Sequence, residues 1–396
     1  MLELRASVRV QSAPAIYLDH NASTPLVPEA REAMLRLLDP VFGNPSSLHR
    51  AGQAARAAVE EARDQVAALT GAPAESVVFV SGGTEADNLA LRGIMEASRA
   101  RGSGIHLLVS AVEHPAVLGT AEALSEAGFQ IGVIPADAQG RINPSEVERR
   151  LRPDTALVSI MLANHEVGAV QPIRGIAALL RARRIALHVD AVQAAAHLPV
   201  NLDELGADLL ALSAHKMGGP KGIGALVVRP GAELRPQITG GAQQGRRRGG
   251  TESPALCAGF GAAVRRLRDG GRRETVRILR DRLEETIRTT VPGARPLADR
   301  TERLPNTSCI IFEGVRGDAL VVALDLEGIQ VSFGAACASG MARPSHVLTA
   351  MGVPAAAALG AVRFSLGAAT TAEEIERASE TVRRVVARLR SGGGAA

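Results

Sequence analysis

From about residue 75 onward the chain alternates short apolar runs with stretches whose apolar residues recur at helical spacing. The runs are Val77-Val-Phe-Val80, His106-Leu-Leu-Val-Ser110, Ala156-Leu-Val-Ser-Ile160, Ile185-Ala-Leu-His-Val189, Leu209-Leu-Ala-Leu212 and Gly224-Ala-Leu-Val-Val228. Strands that are apolar almost throughout are buried on both faces, and the helical stretches between them supply the cover. The pattern predicts an α/β unit on a mostly parallel sheet, where ligands gather beyond the carboxyl ends of the strands. An arginine-rich helical segment, residues 264–289, then leads into a smaller α+β unit. That unit has strands at 308–312 and 362–366, with a helix near 318–327. Its last helix opens on Thr371-Ala-Glu-Glu374, a capping box, and runs to about residue 389. The expected division is an N-terminal extension (1–15), a large domain (16–263), a small C-terminal domain (264–390) and a disordered tail (391–396).

A chain of 396 residues can bury a core of this size in two domains. With 46% hydrophobic residues, one Tyr and no Trp, that core rests on aliphatic side chains, which argues against an aromatic-rich β-sandwich. The net charge of +4 is small for the length and gives little reason to expect nucleic-acid binding. Arg246-Arg-Arg248 lacks the interleaved aromatics of a single-strand binder and fits better near a subunit boundary and an anionic cofactor. Cys257, Cys309 and Cys337 form no CxxC pair, so neither a disulfide framework nor a zinc site is indicated. A reducing cytoplasm is the expected location, since no run of about 18 apolar residues appears and residues 1–15 lack a signal-peptide core.

Charge usage sharpens the chemistry. Lys and Arg together number 45, yet the only lysines are Lys216 and Lys221, both within Ser213-Ala-His-Lys-Met-Gly-Gly-Pro-Lys-Gly222. Arginine codon bias accounts for their rarity, but not for their placement beside Ser213 and His215. An arginine stays protonated, whereas a lysine amine can lose its proton and attack a carbonyl. Lys216 is therefore the candidate for a Schiff base.

Other polar groups cluster at strand ends. Ser81-Gly-Gly-Thr-Glu85 follows the first run, and a glycine turn into a helix reads either as a plain turn or as a phosphate cradle, with Thr84 adding a hydroxyl. Asp190 and Gln193 follow the fourth run; a buried acid there can keep a pyridine nitrogen protonated. His188 and Asp190 also read as half a metal site, but no third ligand stands nearby, so no metal is expected. His114, in Glu113-His-Pro115, reads as a surface histidine or as a catalytic group that stacks on a flat ring or shuttles protons. Asn164 is equally ambiguous. A phosphate cradle, an acid for a ring nitrogen, a lysine for an aldehyde and an imidazole for a ring face together point to pyridoxal 5′-phosphate (PLP).

From residue 17 to 389 the chain resembles the NifS/IscS group of cysteine desulfurases, among the fold-type I, aspartate aminotransferase-like PLP enzymes of aminotransferase class V. The resemblance rests on Tyr17-Leu-Asp-His-Asn-Ala-Ser-Thr-Pro25, Gly43-Asn-Pro-Ser-Ser-Leu-His49, Ser81-Gly-Gly-Thr-Glu85, Glu113-His-Pro115, Asn164-His-Glu-Val-Gly168, His188-Val-Asp-Ala-Val-Gln193, Ser213-Ala-His-Lys216, Arg247-Arg-Gly-Gly-Thr251 and Arg363-Phe-Ser-Leu-Gly367. It implies a large domain with a seven-stranded, mostly parallel sheet and a homodimer. It further implies that Lys216 carries the cofactor, Asp190 holds the ring nitrogen, Gln193 bonds the ring oxygen and His114 stacks on the ring. Gly83, Thr84, Ser213 and His215 would hold the phosphate, with Thr251 coming from the partner subunit. Asn164 would line the cofactor and substrate site, and Arg363 would clamp the substrate carboxylate.

Cys337 decides among the reactions that PLP enzymes perform. It sits in Val331-Ser-Phe-Gly-Ala-Ala-Cys-Ala-Ser-Gly-Met341, whose small residues read as a mobile loop (about 331–345). Cys309, beside Ile310 and Ile311, and Cys257, beside Leu256, read instead as buried small hydrophobes. In the resembling family this loop carries the cysteine that takes sulfur from the substrate. Phe333 and Ala335 stand where hydroxyl residues are common there, and Arg343 where Glu often precedes Pro-Ser. The expected reaction is removal of sulfur from L-cysteine, giving L-alanine and a Cys337 persulfide. That sulfur would pass to an iron–sulfur scaffold or a thiolation relay. A selenocysteine lyase or another fold-type I aminotransferase is the alternative.

Overall fold

The structure, a computed structural model, describes residues 15–270, 273–334 and 343–392. Its strands, in chain order, are β1 (Ile16–Tyr17), β2 (Val77–Val80), β3 (His106–Ser110), β4 (Gln130–Ile134), β5 (Thr155–Ser159), β6 (Ala186–Asp190), β7 (Leu209–Ser213), β8 (Gly224–Val228), β9 (Ala294–Pro296), β10 (Thr307–Phe312), β11 (Ile329–Gln330), β12 (Ser332–Phe333) and β13 (Ala361–Ser365). Seven of them form one sheet in the order β2-β8-β7-β6-β5-β3-β4. The pairs from β7 through β4 are parallel, while β8 runs antiparallel to both β7 and β2. Six strands therefore point their carboxyl ends at one edge, as the apolar runs predict for an α/β fold.

Both faces of this sheet are covered. Along each strand alternate side chains enter different cores: Val77, Phe79, Leu108, Leu210 and Leu212 pack into one, and Val78, Val80, Leu107, Leu209 and Ala211 into the other. Burial on both faces leaves no polar alternation, which is why these segments read as continuous apolar runs.

A second sheet, β12-β13-β10-β9, is antiparallel and carries the smaller unit. Its β10 serves both units. Cys309 and Ile311 face the first core of the large sheet, whereas Ile310 and Phe312 face a third core shared with the helices Arg273–Thr290 and Ala372–Gly392. The capping box forms as expected: Thr371 N–H donates to Glu374 Oε2 at 2.9 Å, and Glu374 N–H to Thr371 Oγ1 at 3.2 Å.

Three boundaries differ from expectation. The helix Pro254–Asp269 places Phe260 and Val264 in the large-sheet core, so the change of unit falls after it and not at 264. The last helix continues through Ser391 and Gly392, the first two residues of the anticipated tail, and 393–396 lie outside the described residues. Strand β1, placed by sequence in the large domain, pairs in parallel with β11, and Ile16 and Leu18 pack in the small unit's core. From there residues 19–24 cross back toward the ends of the large-sheet strands, where Thr24 N–H donates to the His215 carbonyl at 2.9 Å.

Candidate active site

Lys216 lies at the end of β7. Ser213 closes that strand, and a short 3₁₀ turn, Ala214–Lys216, swings the lysine over the sheet edge. The chain then reverses at Gly218, whose φ of +80° suits glycine; a Cβ there would sit 2.5 Å from Val27 Cγ1. Lys216 Nζ donates to the carbonyls of Asn21 and, at 3.0 Å, Ala22, both on the strap that follows β1. Burial, helped by the positive charge of Arg363, lowers its pKa to about 8. Near neutral pH an appreciable fraction is thus unprotonated, as a nucleophilic amine requires.

Around Lys216 is a cavity of about 300 Å³ lined by residues from five strand ends. Gly83 and Thr84 begin the helix Gly83–Arg101, whose first N–H groups have no partner within the helix. A Cβ at Gly83 would meet Val192 Cγ2 at 2.7 Å, so only glycine lets the backbone approach this closely. Ser213 and His215 complete a donor-rich corner suited to a phosphate. His215 Nδ1 lies 3.3 Å from Ser23 Oγ, and burial together with Lys216 and Lys221 lowers its pKa to about 4.

Asp190, at the end of β6, occupies the opposite side and is 6% exposed. Burial, reinforced by the nearby Asp87 carboxylate, raises its pKa to about 7, so a cationic ring nitrogen would be welcome beside it. Gln193 donates to the Asn21 carbonyl at 2.7 Å. His188 is fully buried, 2.8 Å from Ser159 Oγ and 3.4 Å from Asp87 Oδ1. It faces into the protein's own hydrogen-bond network, and no group of metal ligands occurs among the described residues.

His114 caps the helix Pro115–Glu126: its Nδ1 accepts the Ala116 N–H at 3.1 Å. Burial, with Lys216 and His346 nearby, lowers its pKa to about 4. The His165 ring stands edge-on to it, centroids 5.3 Å apart. Glu113 is wholly buried, accepting from Ser110 Oγ and, at 2.8 Å, from Met161 N–H, and burial drives its pKa well up.

Of the residues singled out by sequence, Gly83, Thr84, His114, Asp190, Gln193, Ser213, His215 and Lys216 all line this cavity. Arg363 sits behind it, donating to Asp19 Oδ1 at 2.7 Å and to the His165 carbonyl at 3.0 Å, with Nε unpartnered. Thr251 is exposed and does not line the cavity of this subunit. Cys337 and Ala335 lie outside the described residues. The flanking chain is described and converges on one buried acid: a Cβ on Gly334 would sit 2.6 Å from Glu166 Oε2, and Ser345 hydrogen-bonds Glu166. Cys257 and Cys309 are buried, with thiol pKa values pushed up to about 12.

Asn164 departs from its expected role. It is fully buried and does not line the cavity. Its Oδ1 accepts the N–H groups of Glu166 and Val167, each at 2.9 Å, and its Nδ2 donates to the Val112 carbonyl at 3.0 Å. It therefore builds the turn that presents His165. Asn164→Ala would leave buried backbone donors unmatched, and a loss of about 2–3 kcal/mol is expected from urea unfolding. An unchanged midpoint would contradict this role.

Two titratable lining residues escaped the sequence reading, His165 and Asp87. His165 lies inside the motif quoted for Asn164, and Asp87 follows Ser81–Glu85 by two residues. Asp87 is three and four residues beyond Thr84 and Gly83, hence on the same helix face.

The fold and the cavity define an enzyme of the aminotransferase type. The class-V aminotransferase family model matches residues 16–378, and the chain belongs to that family. It is 48% identical over 378 residues to a cysteine desulfurase of Cereibacter sphaeroides, covering 95% of this chain and 97% of that one. Among solved structures, a NifS-like protein superposes with a TM-score of 0.87 at 33% identity, covering 95% of this chain and all of the other. SspA in complex with cysteine superposes at 0.80, also 33% identical, over 90% and 100% of the two chains. Within class V, this chain is one of the cysteine desulfurases.

Proposed function

We propose that the protein is a PLP-dependent cysteine desulfurase that converts L-cysteine to L-alanine and holds the sulfur as a persulfide on Cys337. The observation that carries this is the convergence, on one cavity, of a lysine amine lowered to about 8 with a buried acid, an imidazole and a helix N-terminus. Gly83, Thr84, Ser213 and His215 would hold the phosphate, Asp190 the ring nitrogen, Gln193 the ring oxygen and Lys216 the aldehyde, with His114 against the ring. When bound, PLP supplies an electron sink for the carbanion formed at the substrate α-carbon.

The chain supplies the rest. Arg363, fixed by Asp19, offers its guanidinium to the substrate carboxylate. Lys216, once free, is the base positioned to take the α-proton. The Cys337 sulfur forms an S–S bond to the substrate sulfur as the Cβ–S bond breaks. The bonding pair stays with the carbon fragment, which departs as alanine, so no external oxidant is needed. The loop termini beside Glu166, next to the cavity-lining His165, support delivery of that thiol to this site.

The SspA structure, which holds cysteine, supports the choice of substrate. A selenocysteine lyase or a transaminating enzyme is not favoured by the desulfurase relatives. Leu26, Leu35, Leu38, Phe42 and Leu48 are exposed apolar residues within one stretch of chain. They support a homodimer in which Thr251 reaches the partner's phosphate site. The sulfur would pass to an iron–sulfur scaffold or a thiolation relay in a reducing cytoplasm, where Cys257 and Cys309 remain free thiols.

Two measurements test the reading. Borohydride reduction of the protein incubated with PLP, followed by peptide mass spectrometry, is expected to place the adduct on Lys216; an adduct on Lys221 alone would refute it. The rate at which cofactor-free protein captures PLP is expected to rise with pH up to about 8 and then level, because the unprotonated amine is the reactive form. A pH-independent rate between 6 and 9 would contradict the assignment.

A further inference from the structure

Behind the cavity wall two buried polar atoms face each other. Asp87 stands one turn into the helix Gly83–Arg101, lines the cavity and is 1% exposed. Its Oδ1 lies 3.4 Å from Nε2 of the fully buried His188, and neither atom has a hydrogen-bond partner. On the far side of the imidazole, His188 Nδ1 is 2.8 Å from Ser159 Oγ on β5. Buried polar atoms left unpaired are costly, and two lone pairs this close repel each other. A single proton between Oδ1 and Nε2 removes both faults.

We propose that Asp87 is a positioning residue for the cofactor: it is a neutral acid whose proton is held against His188 Nε2, so that of the two aspartates only Asp190 carries charge beside the ring nitrogen. This inference rests on the PLP reading. His188 and Asp190 are two residues apart on β6 and share a face of the sheet, so the Asp87 proton is fastened to the strand that presents Asp190.

The titratable groups around the pair decide where the proton resides. Asp87, Asp190 and Glu113 are buried acids that act on one another, with His188 and Lys216 facing Asp190. Like charges at close quarters do not all ionise, and the proton stays where charge is least supported. Burial raises both aspartates. Asp190 Oδ1 is compensated by the Val192 N–H at 2.8 Å and by Lys216. Burial alone acts on Asp87 and drives its pKa well up. His188 does not take the proton, since burial lowers its pKa to about 4. It stays neutral, its own hydrogen on Nδ1 donated to Ser159 Oγ and its lone pair on Nε2. An ionised Asp87 would push Asp190 toward the uncharged form, which cannot pair with a cationic ring nitrogen. A proton on Asp87 removes that opposition.

The test uses the full-length protein with and without PLP. Near neutral pH, infrared difference spectra of protein carrying ¹³C in its aspartate carboxyls are expected to show a protonated-acid C=O stretch that Asp87→Asn lacks. The ¹⁵N spectrum of histidine-labelled protein is expected to show His188 as the Nδ1–H tautomer. Asp87→Ala is expected to weaken PLP binding about tenfold, and Asp87→Asn, whose amide donates to the same nitrogen without charge, to restore it to within about threefold of wild type. His188 in the Nε2–H form, or an acid stretch that persists unchanged in Asp87→Asn, would overturn the proposal. So would an Ala variant that binds PLP like wild type, or an Asn variant that binds it no better than Ala. A wild type that does not bind PLP would instead overturn the functional reading, and the infrared and ¹⁵N spectra of the PLP-free protein would still decide where the proton sits.

Discussion

Lys216→Ala is expected to reduce alanine formation from cysteine by roughly 10⁴-fold or more, because it removes covalent capture of the cofactor and the α-proton base together. Lys216→Arg should fail equally. A guanidinium keeps the positive charge but stays protonated, so it neither attacks a carbonyl nor accepts a proton. The pair of variants separates charge from nucleophilicity, a distinction that alanine alone cannot make. Compensation is not expected, since Lys221 is exposed and does not line the cavity. The proteins should remain folded, because Nζ contacts only two carbonyls of the 19–24 strap. Retention of more than a few per cent of the wild-type rate by Lys216→Arg would remove the basis of the functional reading.

Cys337→Ser is expected to reduce sulfide release, with a reductant present, by on the order of 10³-fold or more. Serine preserves size and polarity, but its oxygen cannot form the S–S bond that accepts sulfur. The cofactor side of the site is untouched, so adding cysteine should still change the absorbance of the bound cofactor. This split is diagnostic: Lys216 variants lose both signals and the Cys337 variant only one. A transaminase would keep its full turnover without the thiol. Mass spectrometry of wild type after brief exposure to cysteine should find one additional sulfur, 32 Da, on the peptide containing Cys337.

The strands that position the chemistry were legible because they are buried on both faces. β2, β3 and β8 coincide with the apolar runs, and β5, β6 and β7 differ by a single residue at their ends. Strand β4 was not legible. It lies at the sheet edge, begins with an exposed Gln130, carries Gly132, and leaves Val133 52% exposed, so neither continuous apolarity nor clean alternation marks it. The two-residue strands β1, β11 and β12 carry no periodicity at all. Within the site, residue type disclosed chemistry but not direction. Asn164 has the polarity of a ligand contact, yet its amide closes a turn. The neighbouring His165 is the one that faces the cavity, and no pattern of spacing distinguishes them. Asp87 was hidden for a related reason: an acid one turn into a helix ordinarily reads as a solvated surface charge.

The pairing of β1 with β11 joins nearly the first described residues to the last third of the polypeptide. During synthesis the large sheet can assemble as soon as its strands emerge, but the opening segment has no partner until the ribosome has passed residue 330. At about 5–20 residues per second that interval is on the order of tens of seconds. Throughout it, the strap carrying the Asn21 and Ala22 carbonyls is tied to the lysine turn at its far end, through Thr24, but lacks the anchor of β1. Full loading with the vitamin is therefore expected only once β11 has emerged. A nascent polypeptide stalled before β11 should leave pyridoxal phosphate unbound, however complete its central sheet.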